Sequence, residues 1–530
     1  MNRLLAQALL ATSPFYLSSC GNNGDSDYFS LAADYPVPDF ASSVLSGGDT
    51  SDPNASRGSS HAFSVPASNL TEAELVLHLD GDADFEQSFI TAPSAEKPDF
   101  DGAGPVNNNT NCNACHQRDG RGTPPGGGIS TQKMGSVESL FLRISIESDE
   151  TRSCIPSAGN DYCAPLAVPN FSTQLFHRGQ ALVRPDSPGT GQADVYVSYE
   201  YSEIEYLDGE IQSMRKPVFD IRNPYDSPGE SLSTFDTPAS RLLQADVKTS
   251  PRLGMPVFGL GLLEAIDEAD ILALADEADS NNDGISGKPN RVYDPAKRLA
   301  GDPNPVSLGR FGWKANTPSV MVQSLGALRG DIGITNFLFP QESIEGTDLH
   351  NDYLTRNPLD TGRDEDGNPE ASEAFSLAVT FYAQTLHVPA RRDTEAPETI
   401  RGATLFEAAG CTACHQPTFV TGTHPDGIAA LSGQTIHPFT DMLLHDMGEG
   451  LADGRQDFQA DGREWKTRPL WGIGLTKVVN PQAGFLHDGR AQSLEEAILW
   501  HGGEAETAKE NFRTMKKSDR AALIRFLDSL

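Results

Sequence analysis

Basic residues are scarce in this chain. Lys and Arg number 40 against 74 Asp and Glu, a formal net charge of −34 over 530 residues. A surface of that sign repels phosphate backbones and anionic membrane faces, so no nucleic-acid partner is expected. It suits a positively charged redox partner, or simple solubility. Long apolar runs are also missing: the stretch from Leu4 to Leu17 is too short to span a bilayer comfortably. Cysteine is sparse, at seven. No second Cys/His pair stands at the short spacing of a zinc site, and no βαβ pattern surrounds a redox dithiol. What the chain has in plenty is Gly (49) and Pro (36), which predicts long irregular loops. Its hydrophobic content of 38% is compatible with a globular protein, and its length with several domains.

Four of the cysteines fall in two copies of one pentapeptide, Cys112-Asn113-Ala114-Cys115-His116 and Cys411-Thr412-Ala413-Cys414-His415. Each is C-x-x-C-H, the attachment pattern of c-type haem, in which both thiols add to vinyl groups and the adjacent His becomes an axial iron ligand. A single copy could equally be a zinc half-site or a redox dithiol. Two copies in a chain with an export signal point to two covalent haem c groups, with His116 and His415 on iron.

The amino terminus supplies that signal. Met1-Asn2-Arg3 and the apolar run end in Leu17-Ser18-Ser19-Cys20-Gly21, which has the form of a bacterial lipobox. Residues 1–20 are thus expected to be a lipoprotein signal, with Cys20 lipidated and the protein facing the periplasm from a membrane, the outer one favoured. The competing reading is an ordinary cleaved signal with an incidental Cys. The remaining Cys154 and Cys163 would pair as a small-loop disulfide in an oxidising compartment.

Residues 21–60, rich in Ser, Asp, Gly and Pro, read as a flexible linker. Residues 61–392 form an N-terminal haem domain with insertions, and 393–530 a C-terminal cytochrome c-like domain. The expected class is mainly α, two cytochrome c-like haem domains with long irregular loops and an inserted β-hairpin. The hairpin is signalled by alternation across residues 194–222, with Asp208-Gly209 at its turn, and reads as a surface decoration. Residues 260–278 have helical periodicity. They run into Asp279-Ser280-Asn281-Asn282-Asp283-Gly284-Ile285, the start of an EF-hand-like loop in which Asp279, Asn281, Asp283 and the Ile285 carbonyl could hold Ca²⁺. The twelfth position is Asn290 where a Glu is usual, so a plain polar turn competes. Helices are also expected over 373–386, over 401–410 leading into the second motif, and from Ser518 to Leu527. Pro256-Val257-Phe258-Gly259-Leu260-Gly261-Leu262 matches Pro469-Leu470-Trp471-Gly472-Ile473-Gly474-Leu475 at four of seven positions, a trace of duplication.

Several stretches carry a resemblance. Phe485-Leu486-His487-Asp488-Gly489-Arg490 with Ser493-Leu494-Glu495-Glu496-Ala497 is similar to bacterial di-haem cytochrome c peroxidases and to MauG. Phe311-Gly312-Trp313-Lys314-Ala315, Leu328-Arg329-Gly330-Asp331-Ile332-Gly333, Leu443-Leu444-His445-Asp446-Met447-Gly448 and Leu499-Trp500-His501-Gly502-Gly503 extend the resemblance to the di-haem oxidoreductase family, some members of which bear a thiol oxidoreductase label. From about residue 100 to the end, the chain looks like that family.

Two arguments then select the second haem's far ligand. Ser493 caps a short helix with Glu496 completing a capping box, and Gly502-Gly503 ends it, leaving His501 on the last turn. The resemblance implies an axial ligand at the same position, Met in the peroxidases and Tyr in MauG. His487 and His445 are the competing ligands. His415/His501 coordination would make an electron-transfer haem of lower potential than a His/Met one. At the first haem the resemblance implies a capping His soon after the motif, but Gln117 to Ser136 contains none, and Met134 is the one candidate there. The iron held by His116 would then be open to peroxide. Glu264, after the repeated G-x-G-L, resembles the acidic residue the peroxidases use and is the candidate catalytic base, with a solvated helix residue as the alternative. His177 is a second candidate. Trp313, Trp471 and Trp500 are possible relays, since the relay position implied by MauG holds Ala408-Ala409-Gly410 here.

The expected function is a di-haem oxidoreductase. Electrons would come from a small donor protein at the His415/His501 haem, and peroxide or another small oxidant would be reduced at the His116 haem. A pure electron-transfer cytochrome, or a MauG-like enzyme oxidising a protein or thiol, are the alternatives.

Overall fold

The computed structural model describes residues 28–530 apart from 56–57, 93, 95–99, 127, 129, 136–137, 147–153, 158–159 and 365, and the backbone alone of 154–157 and 160–163. The export signal and Cys20 lie outside the described residues.

Two helix crossings frame the molecule. Helix Glu72–Glu86 opens on a capping box, Thr71 Oγ1 accepting from Glu74 N while the Glu74 carboxylate accepts from Thr71 N. It packs on helix Glu373–Thr385, capped by Ser372. Helix Pro397–Ala408, with Pro at its first position, packs on the closing helix Lys517–Ser529. Both crossings share one layout. A Cβ at Gly81 would stand 2.3 Å from Ala378 O, and one at Gly402 would stand 2.0 Å from Ala522 O, so glycine is what lets the backbones touch. One turn beyond each glycine, Phe85 and Phe406 lie 6.4 and 6.2 Å from the His116 and His415 rings. One turn beyond each alanine, Tyr382 and Phe526 complete the aromatic contact at 5.2 and 5.3 Å.

The short sequence repeat joins the halves. Gly259 and Gly472 both have positive φ, +72° and +70°. A Cβ at Gly259 would lie 2.7 Å from the Trp471 ring, and one at Gly472 would lie 2.5 Å from the Phe258 ring. Phe258 and Trp471 are equivalent in the repeat, so the two copies meet about a local two-fold.

The expected mainly α class is corrected. The chain is 29% helical and 17% strand, with its strands in several small sheets. The sequence between the first motif and residue 253 is responsible, because its β-branched and aromatic residues build strands beyond the one hairpin expected. Strands Leu140–Ile146, Val247–Leu253 and Gln174–Leu175 form one sheet. One of its faces packs Leu140, Leu142, Ile144, Leu175 and Leu253 with Met134 and Val195. Its other face carries Phe141, Arg143, Gln174, Ser250 and Arg252.

Strands Asp194–Glu205 and Ile211–Arg222 pair in register around the Asp208-Gly209 turn. This ribbon is no decoration. Its tip reaches the C-terminal half, where Arg520 Nη2 donates to Asp208 and Glu210 at 2.8 Å and the guanidinium lies 3.9 Å over Tyr206. Midway, Arg215 N donates to Glu496. The segment read as linker is also packed from Tyr28 on: Phe40 and Ala41 are buried, and the fully buried Arg391 donates to the carbonyls of Phe40, Ala41 and Ser43. Its backbone carbonyls satisfy a buried guanidinium.

The helix expected over 260–278 is two short ones, Leu260–Glu264 and Glu268–Leu272. Ile266 leaves the spiral to bridge Thr421, and Asp267 restarts it. The closing helix has Lys516 at its N-cap rather than a side-chain cap from Ser518.

Candidate functional site

The first motif is a one-turn helix, Cys112–Cys115, whose N-terminal donors are met by Asn111 Oδ1 accepting from Ala114 N at 2.6 Å. Backbone closes tightly round it: a Cβ at Gly254 would stand 2.5 Å from Cys115 O, and one at Gly122 2.4 Å from Ser139 Cβ. The second motif comes after Gly410, whose φ of +89° turns the chain out of helix Pro397–Ala408. Burial pushes the Cys112, Cys115 and Cys411 thiols up to about 12, and raises that of Cys414 as well.

Three imidazoles share one arrangement. His116 Nδ1 bonds Met255 O at 2.5 Å, His415 Nδ1 bonds Phe439 O at 2.9 Å, and His501 Nδ1 bonds Ala497 O at 2.8 Å. A carbonyl only accepts, so each Nδ1 carries the proton and each Nε2 presents a lone pair. That is the tautomer an iron ligand needs, fixed as second-shell bonds usually fix it. Burial lowers all three, His415 to about 4, so they are neutral at pH 7. His501 stands just past helix Leu494–Leu499, capped by Ser493 Oγ accepting from Glu496 N. The expected reciprocal bond of a capping box is absent there, because the Glu496 carboxylate takes Gln492 N and Arg215 N instead. His501 lines a cleft of about 260 Å³ with Trp500, Met447 and, from the ribbon, Ser202, Ile204 and Met214.

The competing histidines are occupied otherwise. His445 stands between two carboxylates, Nε2 2.7 Å from Asp441 Oδ2 and Nδ1 2.7 Å from Glu504 Oε2. Burial works against its charge, but bonds to Asp441, Cys414 and Glu504 outweigh it and raise the ring to about 12. It is an imidazolium 3.6 Å from Cys414 Sγ. His487 stacks on Trp465 at 3.9 Å and 16°, and burial takes it down to about 3.

His177 differs from all of these. Its Nδ1 lies 2.9 Å from Asn108 Nδ2. That amide is oriented by its other bonds, Nδ2 donating to Leu175 O and Oδ1 accepting from Gln174 Nε2. His177 Nδ1 is therefore the acceptor and Nε2 holds the proton, buried, with the Gly135 backbone oxygen beside it and no hydrogen bond of good geometry among the described residues. Burial, with Arg178 beside it, keeps the ring neutral at about 4. Met134 is packed in the apolar face of the three-stranded sheet and offers no ligand geometry.

Glu264 is committed elsewhere. Oε1 accepts from Val320 N and Oε2 from Gln384 Nε2, both at 2.8 Å, with His424 Nε2 at 3.4 Å. It ties three segments together rather than offering a free carboxylate. The carboxyl near the first motif is Asp331, in a π-helical turn over Leu328–Ile332, a turn type frequent at functional sites. Its backbone oxygen accepts from Asn108 N and Asn109 N, and Oδ1 accepts from Gln174 Nε2 at 2.7 Å. Burial raises it above the usual carboxylate range, with Arg143 and Gln174 pulling the other way. Arg143 and Asp331 are enclosed by the chain yet keep partial accessibility, as do both motifs' cysteines.

In the loop where Ca²⁺ was expected, the polar side chains bond within the loop. Asp279 accepts from Asp283 N and Gly284 N, and Asp283 accepts from Ile285 N and Asn281 Nδ2. Asn290 points inward, donating to Lys314 O and Asp457 O. Polar side chains close the loop on its own backbone. Cys154 pairs across from Cys163 in antiparallel register, but their side chains lie outside the described residues.

A family model described as "Di-haem oxidoreductase, putative peroxidase" matches residues 40–530. The chain belongs to that family. No curated protein matches it. A chain of Kuenenia stuttgartiensis hydrazine synthase pressurised with xenon is similar at 19% identity, over 37% of this chain and 67% of that one, with a TM-score of 0.21. A likeness of that size carries no argument.

Two haem cofactors thus belong in this di-haem oxidoreductase, and its residues fit them. The two motifs, the three imidazoles with Nε2 lone pairs and the enclosed polar wall of Arg143 and Asp331 are the kind of donor set a haem requires. Sequence reading missed Asp331, Arg143 and Asn108. The first stood in a quoted family stretch without a role. The others lie in strands and loops whose neighbours are remote in sequence.

Proposed function

We propose that this di-haem oxidoreductase reduces a small peroxide at its first haem site, with electrons delivered by a small donor protein at the second. Both haems would be held covalently, by Cys112 and Cys115 and by Cys411 and Cys414. His116 would bind one iron, His415 and His501 the other. Bound there, haem supplies one-electron chemistry and, where a coordination position is open, a place for peroxide.

The observation that carries the reading is the tautomer of His177. A carrier with both irons six-coordinate needs a second lone pair at the first site. His177 offers a proton at Nε2 instead, because Asn108 donates to its Nδ1. A buried N–H held by no more than the Gly135 backbone is suited to donating to a peroxide oxygen. Asp331, raised by burial, would hold and pass the proton that peroxide gives up on binding. Arg143, on the polar sheet face, would keep the pocket positive. Peroxide takes electrons from the donor and protons from this pocket and leaves as water.

The lipobox-like start supports an exported protein, lipid-anchored and facing the periplasm, where covalent haem attachment takes place. No helix among the described residues is long and apolar enough to cross a membrane. The acidic surface supports a basic donor protein.

The deciding experiment is low-temperature EPR with optical spectra of the haem-loaded protein, as isolated and half-reduced. One high-spin and one low-spin ferric haem are expected, with hydrogen peroxide changing the high-spin spectrum. His501→Ala should turn the low-spin signal high-spin. Two haems that stay low-spin after half-reduction would leave an electron carrier and refute the reading.

A further inference from the structure

The four tryptophans fall into two groups. Trp471 belongs to the large apolar core, and among the described residues no Lys or Arg lies over its ring. Trp313, Trp465 and Trp500 gather in one cluster with Met255, Leu486 and Met447. That cluster reaches from one motif to the other. At one end Trp313 Nε1 donates to Leu253 O, two residues before the Met255 carbonyl that orients His116. At the other, Trp465 pairs across from His445, itself 3.6 Å from Cys414, and Trp500 precedes His501.

Cations cover all three rings. Arg121 and Arg468 lie 5.3 and 5.2 Å from the Trp313 centroid, Arg252 and Lys314 lie 4.8 and 4.7 Å from Trp465, and Arg490 lies 4.5 Å from Trp500. Four of the five are buried and Arg468 is half-buried. Arg121 donates to the carbonyls of Gly484 and Leu486, and among the described residues neither it nor Arg468 has a carboxylate at ion-pair distance. Those two charges are poorly screened, whereas Arg252 and Lys314 are paired with Asp453 and Asp457, and Arg490 with Asp488. In a chain of net charge −34, two uncompensated cations on one indole single out Trp313.

A filled indole attracts a cation through its ring quadrupole. An indole that has lost an electron is itself a cation, and the same neighbour repels it. We propose that Arg121 and Arg468 keep Trp313 from being oxidised, so that Trp313, the ring nearest the first motif, stays a closed-shell member of the cluster between the haem sites. The inference rests on the peroxidase reading and narrows it. Oxidising power at the first site is barred from leaving through Trp313, so it is spent on donor electrons. A protein substrate oxidised by way of Trp313 is then excluded.

The test uses the haem-loaded, diferric protein and an external one-electron oxidant. Flash-quench generates a ruthenium(III) polypyridyl complex, which returns to ruthenium(II) on taking one electron from an indole. Tryptophanyl radical is read by transient absorption and by EPR of frozen samples. Wild type should give little. Arg468→Met should raise the yield roughly tenfold, Arg468→Lys should keep it low, and adding Trp313→Phe to Arg468→Met should abolish the gain. If Arg468→Met fails to load both haems, Arg121→Met reads the same effect at Trp313. A wild-type yield equal to that of these variants overturns the inference. Failure of the peroxidase reading would appear separately, as no spectral change with hydrogen peroxide, and would leave this measurement intact.

Discussion

Asp453→Asn probes the charge lattice that supports the tryptophan cluster. Asp453 Oδ1 accepts from Lys314 Nζ at 2.9 Å, Oδ2 accepts from Ser250 Oγ, and Arg252 Nη2 lies 3.5 Å away. Burial works to raise this carboxyl, but Lys314 and Arg252 outweigh it and hold it below the usual range. Lys314 is completely buried and donates further to Arg455 O and Asp461 O. At an effective dielectric near 20, charges 2.9 Å apart attract by about 6 kcal/mol before desolvation is counted. Breaking such a buried pair typically costs about 3–5 kcal/mol, because a lone charge is left behind. Lys314 has a way out. Burial has already brought it down to about 8, below its ordinary 10.5. The unfolded chain therefore binds more protons between those values, and the Lys314 contribution to stability rises with pH across that window. The variant should lose about 3 kcal/mol or more at pH 6. At pH 9, where Lys314 is largely neutral, the loss should shrink to the ~1 kcal/mol of an ordinary hydrogen bond. Guanidinium unfolding monitored by far-ultraviolet circular dichroism at both pH values measures this. A loss below about 1 kcal/mol at pH 6, or equal losses at the two values, would refute the argument.

Gly402→Ala must force its Cβ away from Ala522 O, now 2.0 Å from where it would sit, and should cost about 1–3 kcal/mol in the same unfolding assay; a neutral result would mean the crossing is looser than described. Glu370→Gln is expected to be pH-dependent. Burial raises Glu370 from 4.5 to about 8, so the native state binds the extra proton and stability falls as pH rises between these values. At about 1.36 kcal/mol per unit, the variant should be near neutral at pH 5 and more stable than wild type by roughly 2 kcal/mol or more at pH 8; a pH-independent difference would rule this out. Asp331→Asn should slow the reaction with hydrogen peroxide by about 10²-fold in stopped flow and leave the low-spin EPR signal unchanged. Glu264→Gln should change that rate little and lower stability instead; the reverse pattern would return the catalytic role to Glu264.

The motifs were legible because their chemistry is local: five consecutive residues specify where a haem goes. The ribbon's pairing was legible from alternation and Asp208-Gly209, since a hairpin is also a local object. Its docking on Arg520 was not, because that contact joins residues some three hundred positions apart. The break at Ala265-Ile266-Asp267 was hidden for a similar reason. Periodicity continues through it, and only the bridge from Ile266 to Thr421 pulls the chain out of the helix. His177 looked featureless in sequence because its tautomer depends on Asn108, whose amide is oriented by Gln174 and Leu175. The fold class failed on length: the insertion after the first motif contributes enough strand that the chain is not mainly α, although a helical frame stands beside both motifs.

That frame also explains how one architecture serves two sites of different character. The Gly81/Ala378 and Gly402/Ala522 crossings set an aromatic ring at nearly the same distance from each motif's His, and the Gly259 and Gly472 segments meet about a local two-fold. Beyond those segments the two halves diverge. After Gly472 the chain continues to His501, whose Nε2 carries a lone pair and which would give the second motif a second imidazole. After Gly259 it continues to Glu264, whose carboxylate is bound by Val320 and Gln384, with His424 of the other half beside it. On the proposed reading the first motif would keep one ligating imidazole, while His177, held by Asn108, turns a proton to the pocket. A saturated site and an open one would then share the same crossing, because the residues after the two repeat copies differ while both crossings need a glycine.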